Sequence, residues 1–558
     1  MPLGPKRVRS LTAILLSLAV IVSRLLWISR MLYEFDSVDF AVATFRYSLE
    51  QVTPHFPGYI LHILLARFIL LFTTDVNLAF VSISVVLSIA TTLFLWRAGA
   101  VLRGERVGVV AAVLWAFLPI FWFYGEISSV YIYESFFASV FLYLGFSIFR
   151  NSQRKELVYY LCIALSLAIG VRQSSSIFFT PAVIYLICKT HQPLRVWIKG
   201  LLAFVVLTAS WAFVLFYYAG GMSAYFATGS AETVFKSQSV LFGNSFNGQI
   251  TVIGKVISYL GFAALPIVCI FGWSLLSKWK RTVEFISDSI RKTSALYSMI
   301  VALPALCFYL AIYFMKAGYL LNILPTLTLA GAVMVDQLAI WRAEKIKRAS
   351  TNKLLLTRPI ITFGAIRNTL VIVALECVIF LSSFPWTGEE HFNNSFTQDS
   401  FNAGVIRSQS LFLNRFASFT NMHSVMATDR LHQDVLEALN KESKSGDDLI
   451  LLDTWWHRWV YYYLPNVTDY DIRDFPNSDS LWVGKSQHFV RSGIQERVIR
   501  IPNKKKVLLL LRNDHPAFME ISKQVHLERL LLPKYLDIYR ITDEHFSFHW
   551  KNMHFIKE

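Results

Sequence analysis

The sequence predicts an all-α polytopic membrane domain of about eleven transmembrane helices over residues 1–385, followed by a C-terminal α/β domain over residues 386–558. Three observations predict it. The chain is 55% hydrophobic and only 16% charged, with a mean hydropathy of +0.47, whereas a soluble domain carries about a quarter charged residues. Apolar runs of about 18 residues or more recur, and each is long enough to cross a hydrocarbon core of roughly 30 Å as a helix. Beyond residue 385 the apolar runs shorten and alternate with polar loops, the pattern of strands in a folded domain.

The net charge of +16 does not indicate a nucleic-acid partner, because of where it sits. Residues 386–558 hold 21 Lys and Arg against 22 Asp and Glu, so the whole excess falls in residues 1–385, in short loops between apolar runs. That is the distribution a positive-inside bias produces. All five cysteines (Cys162, Cys188, Cys269, Cys307 and Cys377) lie in apolar stretches, so no disulfide framework is expected in the tail. Spacings such as CxxC or HExxH are absent. Asp36, Asp39 and Glu126 together could hold a divalent metal, but neither a metal nor another cofactor is predicted.

The first element is Leu11–Ser29, preceded by "KRVRS". Its length and the lack of an A-x-A-like cleavage site favour an uncleaved anchor over a signal peptide. The basic flank puts the N-terminus in the cytoplasm and the following stretch, "YEFDSVDFA", outside. Here Asp36 is expected to cap a short amphipathic helix, "SVDFAVATFRYSLEQV", with Asp39 in its first turn. Next comes "PHFPGYILHILLARFILL", whose prolines, glycine and Arg67 suit a helix lying in the outer interface. The remaining runs are 77–98, 107–124, 128–149, 157–171, 175–188, 201–219, 251–275, 297–315, 319–340 and 367–385.

Charge tests this topology. With 55–72 kept at the interface, the inner segments hold 24 Lys and Arg, and the outer loops hold five: Arg30, Arg46, Arg172, Lys236 and Lys316. A full crossing by 55–72 would invert that bias. The odd span count then places the tail outside, as in a bacterial inner-membrane protein with a periplasmic domain. In the tail, "DDLILLDTWW", "KKKVLLLLRN" and "YLDIYRIT" read as buried strands, and 429–441 has helical spacing. "DTWWHRWVYYYLP", from Asp453, reads as a Trp/Tyr-rich strand.

Acidic residues collect on the predicted outer face, among them Glu34, Asp36, Asp39, Glu126 and Glu134. A carboxylate beside lipid is costly, so these face water or do chemistry. An aspartate at a helix terminus, held at the interface, suits a general base acting on an acceptor hydroxyl. "GVRQSSS" places Arg172 where guanidinium can bind phosphate through paired donors, and "FMKAGYLLNILP" places Lys316 at headgroup depth.

The order of these parts resembles the GT-C glycosyltransferases: one span, an acidic motif opening the outer loop, "H-x-P-G-Y" at His55–Tyr59, an interfacial helix and a late "GYLLNILP". The likeness covers roughly residues 1–340 and is nearest to the branch of the protein O-mannosyltransferases and aminoarabinose transferases. The resemblance implies Asp36 as catalytic base with Asp39 as auxiliary acid, since Ser37 stands where many relatives carry an acid. It further implies Lys316, Arg172, Glu126, Tyr319 and His55 as substrate-binding residues. The implied donor is a polyprenyl-phosphate sugar in the membrane lipid, and the acceptor is a protein, lipid or glycan hydroxyl. A secondary transporter or a non-catalytic membrane assembly protein is the alternative. A transporter would place its ionisable residues near mid-bilayer and often show a repeated half.

Overall fold

The computed structural model of the chain describes residues 5–381 except 152, 236–252, 255, 258, 262, 313–315 and 350–356. It further describes 421–558 except 444–448, 454–456, 473–479, 486–487, 494–497, 512–515, 531–536 and 551–552. Lys236 and the expected boundary at 385–386 lie outside the described residues. Two compact units emerge: Met1–Ser29 with Pro57–Val425, and Arg30–Phe56 with Met426–Glu558.

The first unit is helical. In chain order it contains α1 (Pro5–Leu25), and then, after α2 (Phe35–Phe45) of the other unit, α3 (Ile60–Ile69), α4 (Val76–Arg103), α5 (Glu105–Phe117), α6 (Pro119–Tyr124) and α7 (Ile132–Arg150). There follow α8 (Glu156–Val171), α9 (Ser175–Lys189), α10 (Leu194–Tyr218), α11 (Met222–Phe235), α12 (Leu265–Ile290), α13 (Thr293–Ala311), α14 (Leu324–Ala349) and α15 (Thr357–Leu381). Seven of the described helices, α1, α4, α7, α10, α13, α14 and α15, are long and apolar enough to cross a membrane.

The other four of the eleven expected runs take different shapes. Run 107–124 breaks between α5 and α6 at Leu118, which has a non-helical ψ of 119° and precedes Pro119. The proline ring disfavours a helical residue before it. Runs 157–171 and 175–188 become α8 and α9, of 16 and 15 residues. Run 251–275 lies partly outside the described residues and ends within α12. At the interface, α3 has ten residues, about 15 Å of helix and half a hydrocarbon core. Tight packing in this unit relies on small residues: a Cβ on Gly108 of α5 would lie 2.3 Å from the Trp96 carbonyl oxygen of α4.

The second unit is α/β. Its seven-stranded sheet has the order β4-β3-β2-β1-β6-β8-β7. The strands are β1 (Leu449–Asp453), β2 (Thr468–Asp471), β3 (Ser480–Lys485), β4 (His488–Gly493), β6 (Lys506–Leu511), β7 (Leu527–Leu530) and β8 (Asp537–Ile541). A three-stranded sheet orders β5 (Val498–Ile501), β10 (Met553–Lys557) and β9 (Phe546–Trp550). Central β1 pairs in parallel with both β2 and β6. Every residue of β6 after Lys506 is buried, which is why "KVLLLL" is a continuous apolar run and not an alternating one. Ile450, Leu452, Val507, Leu509, Tyr539, Phe548 and Phe555 share one core.

All three runs read as strands are strands, and the 429–441 segment lies within α16 (Met422–Glu442). The aromatic run corrects the sequence reading: His457–Tyr463 is a helix, α17. The last helix, α18, is Pro516–Ile521. Also in this unit is α2, the helix of the acidic motif.

Candidate active-site residues

Asp36 and Asp39 both lie on α2, but the cap is not Asp36. The helix starts two residues earlier, with Glu34 as N-cap; Ser37 Oγ accepts from the Glu34 backbone N–H at 3.2 Å. The helix also stops at Phe45, short of the expected 52. Asp36 therefore sits within the first turn, half-buried, where the helix dipole favours a negative charge. Asp39 lies one turn on and is 1% exposed.

Two groups approach Asp39. His55 Nδ1 lies 3.9 Å from Oδ2, and Arg458 of α17 makes an ion pair with the same oxygen. Atoms of Asp36, Asp39 and His55 come within 4.8 Å of one another, a donor set of the hard, oxygen-rich kind that suits a divalent cation. The His55 ring also packs against Phe40 at 5.8 Å. The loop just before His55 is strained: Val52, a β-branched residue, has φ of 58°.

A cation–aromatic set belongs to the first unit. Arg172, following α8, pairs with Glu134 in the first turn of α7. The Tyr309 hydroxyl donates to the other oxygen of Glu134 at 2.9 Å. Arg172 lies over the Tyr319 ring at 4.7 Å and over Tyr131 at 5.5 Å. Lys316 Nζ lies over Tyr131 at 5.6 Å, and Tyr309 stacks on Tyr319 at 4.9 Å. Gly318 makes this crowding possible. Its N–H donates to the Tyr124 hydroxyl at 3.0 Å, and a Cβ there would meet Tyr131 at 2.7 Å and Tyr124 at 2.8 Å.

The structure thus brings Asp36, Asp39 and His55 together in one unit, and Arg172, Lys316 and Tyr319 in the other. Glu126 is fully buried and has Arg24 of α1 as its charge partner. Burial pushes its carboxyl well above the usual carboxylate range, against the pull of Arg24. Sequence reasoning missed Glu134 as the partner of Arg172 and Arg458 as the partner of Asp39. The one local signal for Arg458 is a lone cation in the aromatic run "WWHRWVYYY".

Residues 36–195 match the sequence model of a family described as the protein O-mannosyl-transferase TMEM260 N-terminal domain. No curated protein matches the chain. Among solved structures, ArnT from Cupriavidus metallidurans bound to undecaprenyl phosphate is similar over 97% of this chain and 99% of that one, with a TM-score of 0.55 and 11% identity. The same protein in the apo state gives 0.52 and 11% over 96% and 98%. An Archaeoglobus fulgidus oligosaccharyltransferase aligns at 12% identity over 82% of this chain and 64% of that one, with a TM-score of 0.43. The ArnT likeness shows the fold, and it joins the motif match in supporting the GT-C resemblance.

Proposed function

We propose, from the GT-C-like fold and the family match over residues 36–195, that the protein is an integral membrane glycosyltransferase. Its donor is a sugar on a polyprenyl phosphate, and its acceptor is a hydroxyl of a protein, lipid or glycan on the extracytoplasmic side. The observation that carries this reading is the placement of Asp36: a half-buried carboxylate in the first turn of α2, beside a second aspartate that is already ion-paired. A carboxylate fixed by a helix terminus yet reachable from solvent is suited to take a proton from an acceptor hydroxyl.

In this mechanism Asp36 removes the acceptor proton as the oxygen attacks the anomeric carbon from the face opposite the phosphate. The bond from that carbon to the phosphate oxygen breaks, its electron pair leaves with the phosphate, and the configuration inverts. Lys316 stabilises the charge that develops on the leaving phosphate. Arg172, held by Glu134, orients Tyr319 and Tyr131 and adds its positive charge to the same end. The undecaprenyl phosphate bound by an ArnT of the same fold supports a lipid-phosphate donor. The Asp36, Asp39 and His55 cluster fits a divalent cation by its donor types. Asp39 and His55, with one oxygen of Asp36, would hold such a cation, which would supply Lewis-acid polarisation; the other Asp36 oxygen keeps the role of base.

The test is sugar transfer by purified protein from a panel of polyprenyl-phosphate sugars. Asp36→Asn is expected to lower turnover by about 10²–10⁴-fold while donor binding persists. Equal turnover in wild type and variant removes Asp36 from the mechanism. Solute flux in liposomes, with no transfer from any donor, overturns the enzyme reading in favour of transport.

A further inference from the structure

The acidic motif does not hold itself in place. Asp39 is 1% exposed, and a buried carboxylate without a charged or hydrogen-bonding partner is costly. His55 at 3.9 Å is beyond hydrogen-bond reach. The cation that meets Asp39 comes from the far end of the chain: Arg458, itself 8% exposed.

The same guanidinium lies 3.4 Å from the ring centroid of Phe35, the first residue of α2. Phe35 and Asp39 are four residues apart and share one face of the helix. One side chain therefore grips α2 on both sides of Asp36. Neighbouring contacts fix the approach to the helix. Asp429 accepts the N–H groups of Arg30 at 2.6 Å and Met31 at 3.3 Å. The Tyr463 hydroxyl accepts from the Leu32 N–H at 3.0 Å, and the Trp459 indole donates to the Leu32 carbonyl at 2.7 Å. A planar guanidinium can stack on a ring and pair with a carboxylate at once, which an ammonium does less well.

We propose that Arg458 is a positioning residue for the transfer reaction, supplying from the C-terminal chain the positive charge that lets two aspartates share one turn of α2 and holding that turn at the angle Asp36 needs. This role rests on the transferase reading above. It gives the C-terminal domain a part in the chemistry without contact with the sugar.

The experiment uses the full-length protein and compares Arg458→Ala, Arg458→Lys, Asp39→Asn and the Arg458→Ala/Asp39→Asn pair. Misplacing a reacting group by about 1 Å costs on the order of 100-fold in rate, and Arg458→Ala is expected to lose about that much kcat. Its donor KM is expected to stay where it was. Arg458→Lys should recover part of the rate, as should guanidinium ion added to Arg458→Ala but not to Asp36→Asn. The double variant should be no slower than Arg458→Ala alone, because the two residues act as one unit. Unchanged kcat in Arg458→Ala overturns the proposal, as does a loss that neither lysine nor guanidinium restores. Should Arg458→Ala fail to fold, Arg458→Lys and Asp39→Asn carry the test: a lower kcat at constant KM in both supports the role, and unchanged kcat in both overturns it. An inactive wild type would instead overturn the transferase reading itself.

Discussion

At Gly318 a single hydrogen in place of a side chain decides whether the cation–aromatic set can assemble. A Cβ there would come within 2.7–2.8 Å of two tyrosine rings, both buried and each packed against another ring. Neither ring can swing aside as a flexible surface chain does, so Gly318→Ala is an overpacking change costing about 1–3 kcal/mol. The strain falls on Tyr131, which carries the ring face under both Lys316 and Arg172. Gly318→Ala is therefore expected to lower the melting temperature and raise the donor KM together. A variant with wild-type melting and wild-type donor KM would show that the rings repack freely. Gly104 provides a contrast: its φ is +115°, yet a Cβ would meet nothing within 4 Å, so alanine there strains only the backbone.

Among the elements, α16 and α17 make the clearest titration prediction. His432 of α16 packs on Trp459 of α17 with ring centroids 4.6 Å apart. Burial pushes its pKa down from 6.5 to about 3. The unfolded chain then takes up a proton below about pH 6.5 that the folded chain refuses until about pH 3, so stability falls as pH drops through that window. Thermal unfolding followed from pH 7.5 to pH 5 should show this slope for the unit containing α16. His432→Phe should flatten it, and an identical slope in the variant would remove His432 as the cause. These helices also show how far the sequence could be read. The strands β1, β6 and β8 were legible because long apolar runs bounded by charge have few other homes. The run now in α17 was not, since seven mostly aromatic residues fit a half-buried strand or a short helix equally well. The start of α2 was ambiguous because Glu34 and Asp36 are both acidic and only backbone angles decide which residue caps. Pairing of Asp39 with Arg458 leaves no trace in local spacing, because the two lie at opposite ends of the chain. Asp36, Lys316 and Arg172 are candidates named from motif order and from the scarcity of charge among apolar residues.

For the whole molecule, charge supplies the argument for which side of the membrane each loop faces. Loops assigned to the inner face carry 24 Lys and Arg against five outside, counted over short loops, where the bias is informative. The ten-residue α3 is consistent with keeping 55–72 out of the count of crossings. The proposed chemistry needs this orientation, because the acceptor arrives from outside while the lipid chain of the donor stays in hydrocarbon. Single-cysteine accessibility in a cysteine-free background tests it. Thr73→Cys, between α3 and α4, should react with a membrane-impermeant maleimide in intact cells. Ser10→Cys and Lys189→Cys should react only after permeabilisation. The inverse pattern would put Asp36 on the cytoplasmic side and the donor in the inner leaflet. If Ser10→Cys and Thr73→Cys were labelled from the same side, either α1 would not cross or 55–72 would cross as well, and the charge asymmetry would need another cause.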